Sequence, residues 1–229
     1  MTETTGMPTA AKGALKGVII LDLTRVVAGP YCAMLLADMG ATVIKIEHPK
    51  DPDLTREFPP ALGGDDEAVS GFFAQYNRNK MAISLDLKAK EGRELFFDMV
   101  RKAHIVIENF RPGTMDKLGL SYQTLKEINP AIVMTSISGF GQSGPNAPRP
   151  AFDSSAQASG GLWSINGTVE EPMRVGTVLG DLSAGLYGAI GTLGALREAE
   201  RDGQGQHVDV SQQDSIISLT ENALVTYTT

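Results

Sequence analysis

An open α/β domain built on a mostly parallel sheet is the fold class that this sequence predicts. Short apolar runs alternate with stretches of helical periodicity along most of the chain. The first two runs bracket one helical stretch within about thirty residues, the length a parallel crossover needs. The first of them is continuously apolar up to its end, as in a strand covered on both faces.

The run 17–23, GVIILDL, reads as the first strand. Gly29-Pro30 then opens a helix, PYCAMLLADMG, that closes at Gly40. ATVIKIE (41–47) is the second strand. Residues 48–79 break the pattern with mixed charge, Pro and Gly, and a loop of that length is usually functional or disordered. MAISLDL (81–87) is the third strand, KEGRELFFDMVRKA (90–103) an amphipathic helix and HIVIENF (104–110) the fourth strand. Two short helices follow, GTMDKLGL and YQTLKEIN, before a fifth strand, AIVMTSISGF (131–140). A Pro/Gly loop (141–150), small-residue helices, a polar link (197–206), HVDV and a helix from Ser211 complete the reading. Residues 1–16 read as a flexible tail and 17–229 as one large domain.

Composition narrows the function classes. The chain has 229 residues and a net charge of −7, which argues against nucleic acid or an anionic membrane as partner. Cys32 is the single cysteine, so no internal disulfide forms, and a reducing cytoplasm fits. The three histidines have no metal-ligand spacing, so no metal is expected. Residues 175–196 have the length of a membrane span, but their glycines and one central Asp favour a buried helix that packs closely.

That central residue, Asp181, is the one charge between Val175 and Leu196. A carboxylate among Gly, Ala and Leu either caps a helix or does chemistry. Gly180-Asp181 followed by a helical pattern fits an N-cap. The same placement orients a carboxylate for nucleophilic attack.

Ligands of open α/β sheets bind at the carboxyl ends of the strands. Here those ends carry Thr24–Pro30, Glu47-His48, Leu87-Lys88, Glu108–Gly113 and Gly139–Gly141, with cations, glycines and aromatics that suit a phosphorylated, ring-bearing ligand. The dinucleotide fingerprint, the P-loop and the G-x-S-x-G elbow are all absent from the sequence.

Four segments, LDLTRVVAGPYCAMLLADMGATVIKIEHP, NRNKMAISLDLK, VIENFRPGTMDKLGL and VLGDLSAGLYGAIGTLGAL, resemble the class III CoA-transferase family in composition and order. The resemblance covers 17–229 and implies a Rossmann-like CoA-binding domain, the N-terminal part of an intertwined homodimer. It also implies a missing C-terminal part that carries a glycine-rich active-site loop. The family's L-G-D nucleophile falls on Asp181. It would attack an acyl-CoA thioester to give an aspartyl anhydride, and a carboxylic acid acceptor would then take the activated group. Coenzyme A enters as substrate, with no tightly bound cofactor.

The resemblance places CoA contacts at Val26, Ala28, His48, Leu85, Lys88, Asn109, Phe110 and Lys117. Core packing competes with that role at Val26, Leu85 and Phe110, and simple surface charge competes at Lys88 and Lys117. His48 and Lys117 stand where the family has Arg, which keeps a cation but loses the bidentate fork. Substrate-side positions are Val27, Arg149, Phe152 and Asp153. Val27 replaces a Gln near the reacting carbonyl, which argues for an acyl group larger than formyl or oxalyl. Asp153 could also be a helix cap, and Arg149 a surface charge. A sister branch that racemises 2-methylacyl-CoA places a His where this chain has Phe152, so one proton carrier is missing for that reaction. A non-catalytic CoA-binding subunit is the remaining alternative.

Overall fold

The computed structural model describes residues 12–64 and 68–229. Six strands form one sheet: β1 (Ile19–Asp22), β2 (Thr42–Glu47), β5 (Lys80–Ser84), β6 (Ile105–Glu108), β7 (Val133–Ser138) and β8 (His207–Ser211). Their spatial order is β5-β2-β1-β6-β7-β8, and every pairing is parallel. The order reverses between β1 and β6, so a crevice opens at the carboxyl ends of these two neighbours.

Helices cover both faces. On one lie α1 (Ala28–Asp38) and α8 (Leu179–Asp202), packed on Ile20, Val43, Ile105, Ile107, Val133 and Ile137. On the other lie α3 (Lys90–Val100), α4 (Thr114–Lys117) and α5 (Tyr122–Ile128), packed on Leu21, Ile46, Val106 and Met134. Successive residues of β1 and β6 therefore face opposite cores, which is why neither strand alternates with polar residues. Phe96 of α3 is fully buried, and truncating it to Ala would cost about 3–5 kcal/mol.

The small residues of α8 have a packing reason. A Cβ on Gly185 would stand 2.8 Å from Ala28 O, and one on Gly188 would stand 2.9 Å from Ile137 Cδ1. Glycine at these two positions lets α8 lie directly on α1 and β7. Thr192 Oγ1 then reaches Thr135 Oγ1 at 2.6 Å across the same contact. No helix among the described residues is long and apolar enough to cross a membrane.

The structure corrects several expected boundaries. α1 starts at Ala28, before Gly29-Pro30. β5 ends at Ser84, and Leu85–Leu87 turn into a cavity wall instead of extending the strand. The helix α8 runs on to Asp202, through the first part of the expected polar link at 197–206, and closes at left-handed Gly203. It continues because Ala195, Leu196 and Ala199 stay on the buried face while the charges point to solvent. The expected long loop after β2 holds a 3-10 turn (Leu54–Glu57), a two-stranded ribbon of β3 (Ala61–Leu62) and β4 (Val69–Ser70), and α2 (Gly71–Asn77). Of the expected tail, residues 1–11 lie outside the described residues. Leu15 is buried in the core, so the folded unit begins before residue 17. The remaining helices are α6 (Asp153–Ser159), α7 (Leu162–Ile165), α9 (Gln212–Ser218) and α10 (Ala223–Thr228).

Candidate active site

The β1–α1 turn is clamped at three successive residues. Asp22 Oδ1 accepts the Thr24 N–H at 2.9 Å and its hydroxyl at 2.5 Å. Asn109, just beyond β6, accepts from Arg25 N at 2.9 Å and donates to Arg25 O at 2.8 Å, so its amide pairs like a strand neighbour. Asp53 accepts the Val26 N–H at 3.2 Å. Val26 needs that hold: its φ is +72°, a strained value for a β-branched residue.

Asp53 is itself fixed by buried charges. It pairs with Lys45 Nζ at 3.2 Å, and Lys45 also donates to Thr24 O at 2.7 Å. Both side chains are buried, and the pair stands only because hydrogen bonds complete it. Glu47 accepts the Asp53 N–H at 2.9 Å and pairs with Arg56 at 2.5 Å. Burial pushes the Glu47 carboxyl up, but Arg56 and the Asp53 amide outweigh it and leave it below the usual range. Lys80 of β5 donates to Asp22 Oδ2 at 2.9 Å and to Pro30 O at 2.9 Å. Burial raises the Asp22 carboxyl, and the ammonium groups of Lys80 and Lys45 outweigh it and lower it.

Asp181 lies in the first turn of α8, whose N-cap is Val178. The expected N-cap role is therefore corrected: the capping carboxylate comes from Asp153, which accepts the Gly180 N–H at 2.8 Å from another helix. Asp153 heads α6 without capping it, is 4% exposed, and is held by Gln157 at 2.8 Å and Arg174 at 3.0 Å. Asp181 Oδ1 accepts from Gln212 Nε2, at the start of α9. Burial, with the nearby Asp153 charge, pushes the Asp181 carboxyl from 3.8 to about 7, against the smaller opposing pull of Gln212 and Arg174. At neutral pH it is thus poised between acid and carboxylate.

Two cavities of about 200 Å³ open at these strand ends. One is walled by Leu23, Leu85, Leu87, Leu118 and Phe110 with His48 and Lys88 among its polar groups. The other runs from Val26–Ala28 past Ile137–Gly139 to Asp181 and Gln212. Arg25 and Phe110 line both, so the two form adjoining parts of one groove. Among the described residues, no group of three or more His, Cys, Asp or Glu could hold a metal ion.

A family profile described as CoA-transferase family III matches residues 15–229. The chain is 45% identical over 221 residues to a succinyl-CoA:mesaconate CoA-transferase of Haloarcula hispanica, covering 94% of this chain and 56% of that protein. It is 44% identical to an acetyl-CoA:oxalate CoA-transferase of Acetobacter aceti, covering 98% and 57%. The chain belongs to CoA-transferase family III. A solved CAIB/BAIF family protein from Brucella suis has the same fold, with a TM-score of 0.88 and 38% identity over 94% of this chain and 57% of that one. The chain therefore spans little more than half the length of these relatives.

Within this family III fold, the positions singled out in the sequence divide by place. Val26, Val27, Ala28, Asn109, Phe110, Arg149, Phe152 and Asp181 share the second cavity. His48, Leu85, Lys88 and Phe110 share the first. Lys117 is exposed on α4 and lines neither cavity, although Thr114 of the same helix and Leu118, its C-cap, line the first. Asp153 sits behind Asp181 rather than in the wall. Both polar ends of the Asn109 amide are spent on Arg25, so it shapes the turn. Arg149 lies over the Phe140 ring at 5.4 Å and bonds Asn146 at 3.3 Å. Phe152 is 75% exposed and offers no proton-transfer group.

Sequence reasoning missed Lys45, Asp53 and Arg56, which with Glu47 form the ion-pair network behind the first cavity, where Glu47 and Asp53 reach the wall. Lys45 was hidden inside a strand, and Asp53 and Arg56 inside a charged loop. A lysine in a strand this apolar was the available signal. Gln212 carried no signal, because its contact with Asp181 spans 31 residues.

Proposed function

We propose that the protein transfers CoA from an acyl-CoA thioester to a carboxylic acid, with Asp181 as the covalent nucleophile. The observation that carries this reading is Asp181 itself, half-buried in the wall of a crevice at the sheet's switch point and oriented by Gln212. A desolvated carboxylate is a stronger nucleophile than one in water, and the crevice limits hydrolysis of what it forms.

The nucleotide end of CoA lies in the first cavity, where Leu85 and Phe110 offer apolar faces and His48 and Lys88 offer cations. Its pantetheine arm passes Arg25 and Phe110, and the thioester reaches Asp181. A carboxylate oxygen of Asp181 attacks the thioester carbonyl, the C–S bond breaks, and CoA leaves as thiolate. The thiolate attacks the aspartyl carbonyl of the anhydride, which releases the donor acid and leaves an enzyme thioester. The acceptor carboxylate attacks that thioester and frees the thiolate again. The thiolate then takes the acceptor's acyl group and restores Asp181. Each step exchanges one activated acyl bond for another, so the activation is kept.

The acceptor acids in the relatives' names, mesaconate and oxalate, each carry two carboxyl groups. A diacid substrate suits this chain as well, because Arg149 at the crevice can meet the second carboxylate. The protein acts in the cytoplasm as a homodimer in this reading. The test is to incubate the full-length enzyme with a panel of acyl-CoAs and hydroxylamine, and to map the modified peptide by mass spectrometry. A hydroxamate on Asp181 is expected. No adduct from any donor, with CoA binding intact, would overturn the reading.

A further inference from the structure

Gln212 divides the two oxygens of Asp181. Its Nε2–H donates to Oδ1, and among the described residues no other hydrogen bond reaches that carboxylate. Oδ2 has no partner and is not sealed from solvent. Both residues line the same crevice, so Oδ1 is held by the protein and Oδ2 is the oxygen left to attack.

The amide is fixed from several sides. Gln212 is 7% exposed and opens α9 directly after Ser211, the last residue of β8. Ser211 pairs in register with Ser138 of β7, and its Oγ caps α9 by accepting the Asp214 N–H at 3.1 Å. Gln213 donates its backbone N–H to Gly139 O at 3.1 Å and its side-chain amide to Ser159 O at 3.1 Å. The start of α9 is thus tied to the sheet and to α6. Val27 and Ile137, in the wall of the same crevice, have no side-chain donor.

The chemistry returns to the oxygen that Gln212 holds. Once Oδ2 has attacked a thioester, Oδ1 is the carbonyl oxygen of the aspartyl anhydride, and it stays the carbonyl oxygen of the enzyme thioester. Both later attacks on the aspartyl carbon therefore develop negative charge on Oδ1. Building on the nucleophile reading above, we infer that Gln212 is a catalytic residue of these two steps, whose amide N–H holds the oxyanion that forms on Asp181 itself. As CoA thiolate attacks the aspartyl carbon of the anhydride, the carbonyl π pair moves onto Oδ1, and Gln212 donates to it without giving up its proton. The pair returns as the bond from that carbon to Oδ2 breaks, and the donor acid leaves as a carboxylate that carries Oδ2. When the acceptor carboxylate attacks the enzyme thioester, the pair moves onto Oδ1 again and returns as the C–S bond breaks and the thiolate leaves. A donor already in place needs no reorganisation at the moment of charge development.

The test is Gln212→Met in the full-length enzyme, which keeps the side chain's length and removes the donor. The enzyme thioester is accumulated without acceptor, from the acyl-CoA that labels Asp181 in the hydroxylamine panel, and identified by intact mass. It is then mixed with the acid of that same acyl group, which attacks the same carbon, and its discharge is followed by quenched flow. Discharge is expected to slow by about 100-fold, the cost of one oxyanion donor. The KM for the acid should stay within about threefold, because ground-state binding is largely kept. Asp181 has no ionisable group in the thioester, so a changed acidity cannot cause this slowing, and it should be the same at every pH. Isotope-edited infrared spectroscopy supplies the second readout: the aspartyl thioester carbonyl should absorb at higher frequency in the variant, where it loses a hydrogen bond. Discharge at the wild-type rate, or slower discharge with no infrared shift, overturns the inference. Should Gln212→Met melt below wild type, the wild-type thioester decides alone: its carbonyl should absorb below a thioester in aprotic solvent, and absorption at the aprotic value overturns the inference. If wild type accumulates an Asp181 thioester and the variant discharges it equally fast, only the role of Gln212 falls. If wild type accumulates none, the nucleophile reading falls and this one with it.

Discussion

The two ends of the groove follow opposite rules. At the β1–α1 turn, protein groups hold the backbone: Asp22 holds Thr24, Asn109 holds Arg25 and Asp53 holds Val26 in a strained conformation, with only Arg25 Nε left without a partner. At the α8 end, groups are left wanting. Asp181 is pushed to about 7, and Phe152 is 75% exposed. A surface that only binds can be rigid and internally satisfied, because the ligand meets a finished shape. A surface where bonds are made must keep unmatched groups for the reacting atoms to match.

Removing the central unmatched group should give the largest effect. Asp181→Asn keeps size and removes the proposed nucleophile, so acyl transfer should fall by more than about 10⁴-fold. CoA affinity, which the proposed function assigns to the other end, should change little. Steady-state rates and calorimetric CoA titration measure the two separately. A variant that loses both in parallel would show that the ends are not independent.

The saturated end should fail in stability instead. Asp53→Ala strands Lys45 as a buried, unpaired cation and releases Val26, at an expected cost of about 3–5 kcal/mol. Urea unfolding of the full-length protein measures it. A loss under about 1 kcal/mol would mean that the turn keeps its shape without the clamp.

Arg149→Ala tests the rim of the reactive end. Its guanidinium rests on Phe140 and bonds Asn146, and it supports no buried structure. The KM for a dicarboxylic acid should rise about tenfold, with stability unchanged. An equal rise for a monocarboxylic acid would remove the second-carboxylate role.

The same contrast explains what the sequence could reveal. The sheet was legible because strands buried on both faces leave continuous apolar runs, and β1, β2 and β6 did so. The strand ends were less legible: Leu85 and Leu87 read as strand, but β5 ends at Ser84. Asp181 was legible because nothing charged surrounds it. Its cap was misread because the carboxylate that caps α8 comes from Asp153, 27 residues away from Gly180, and no local rule reports that contact.

The smallest expected effect is on stability against pH, and it ties the reactive end's chemistry to the cost of keeping it. In the folded protein the Asp181 carboxyl stands at about 7, against 3.8 ordinarily. The folded chain therefore keeps a proton that the unfolded chain has lost. Stability contributed by this group is fully present below the unfolded value, declines as pH rises through the window between the two, and levels off above about 7. Asn in place of Asp181 removes the titration. The variant should match wild type near pH 4 and melt higher above pH 7. Because Asp181 is only half-buried, solvent screening limits the expected gain to about 1 kcal/mol, or roughly 2–4 °C. Activity should run the other way: wild-type kcat/KM falls about tenfold per pH unit below the same midpoint, because only the carboxylate attacks. A melting difference that stays constant from pH 4 to pH 8 would show that Asp181 titrates as an ordinary aspartate. The unmatched charge would then have to be carried by another group of the crevice.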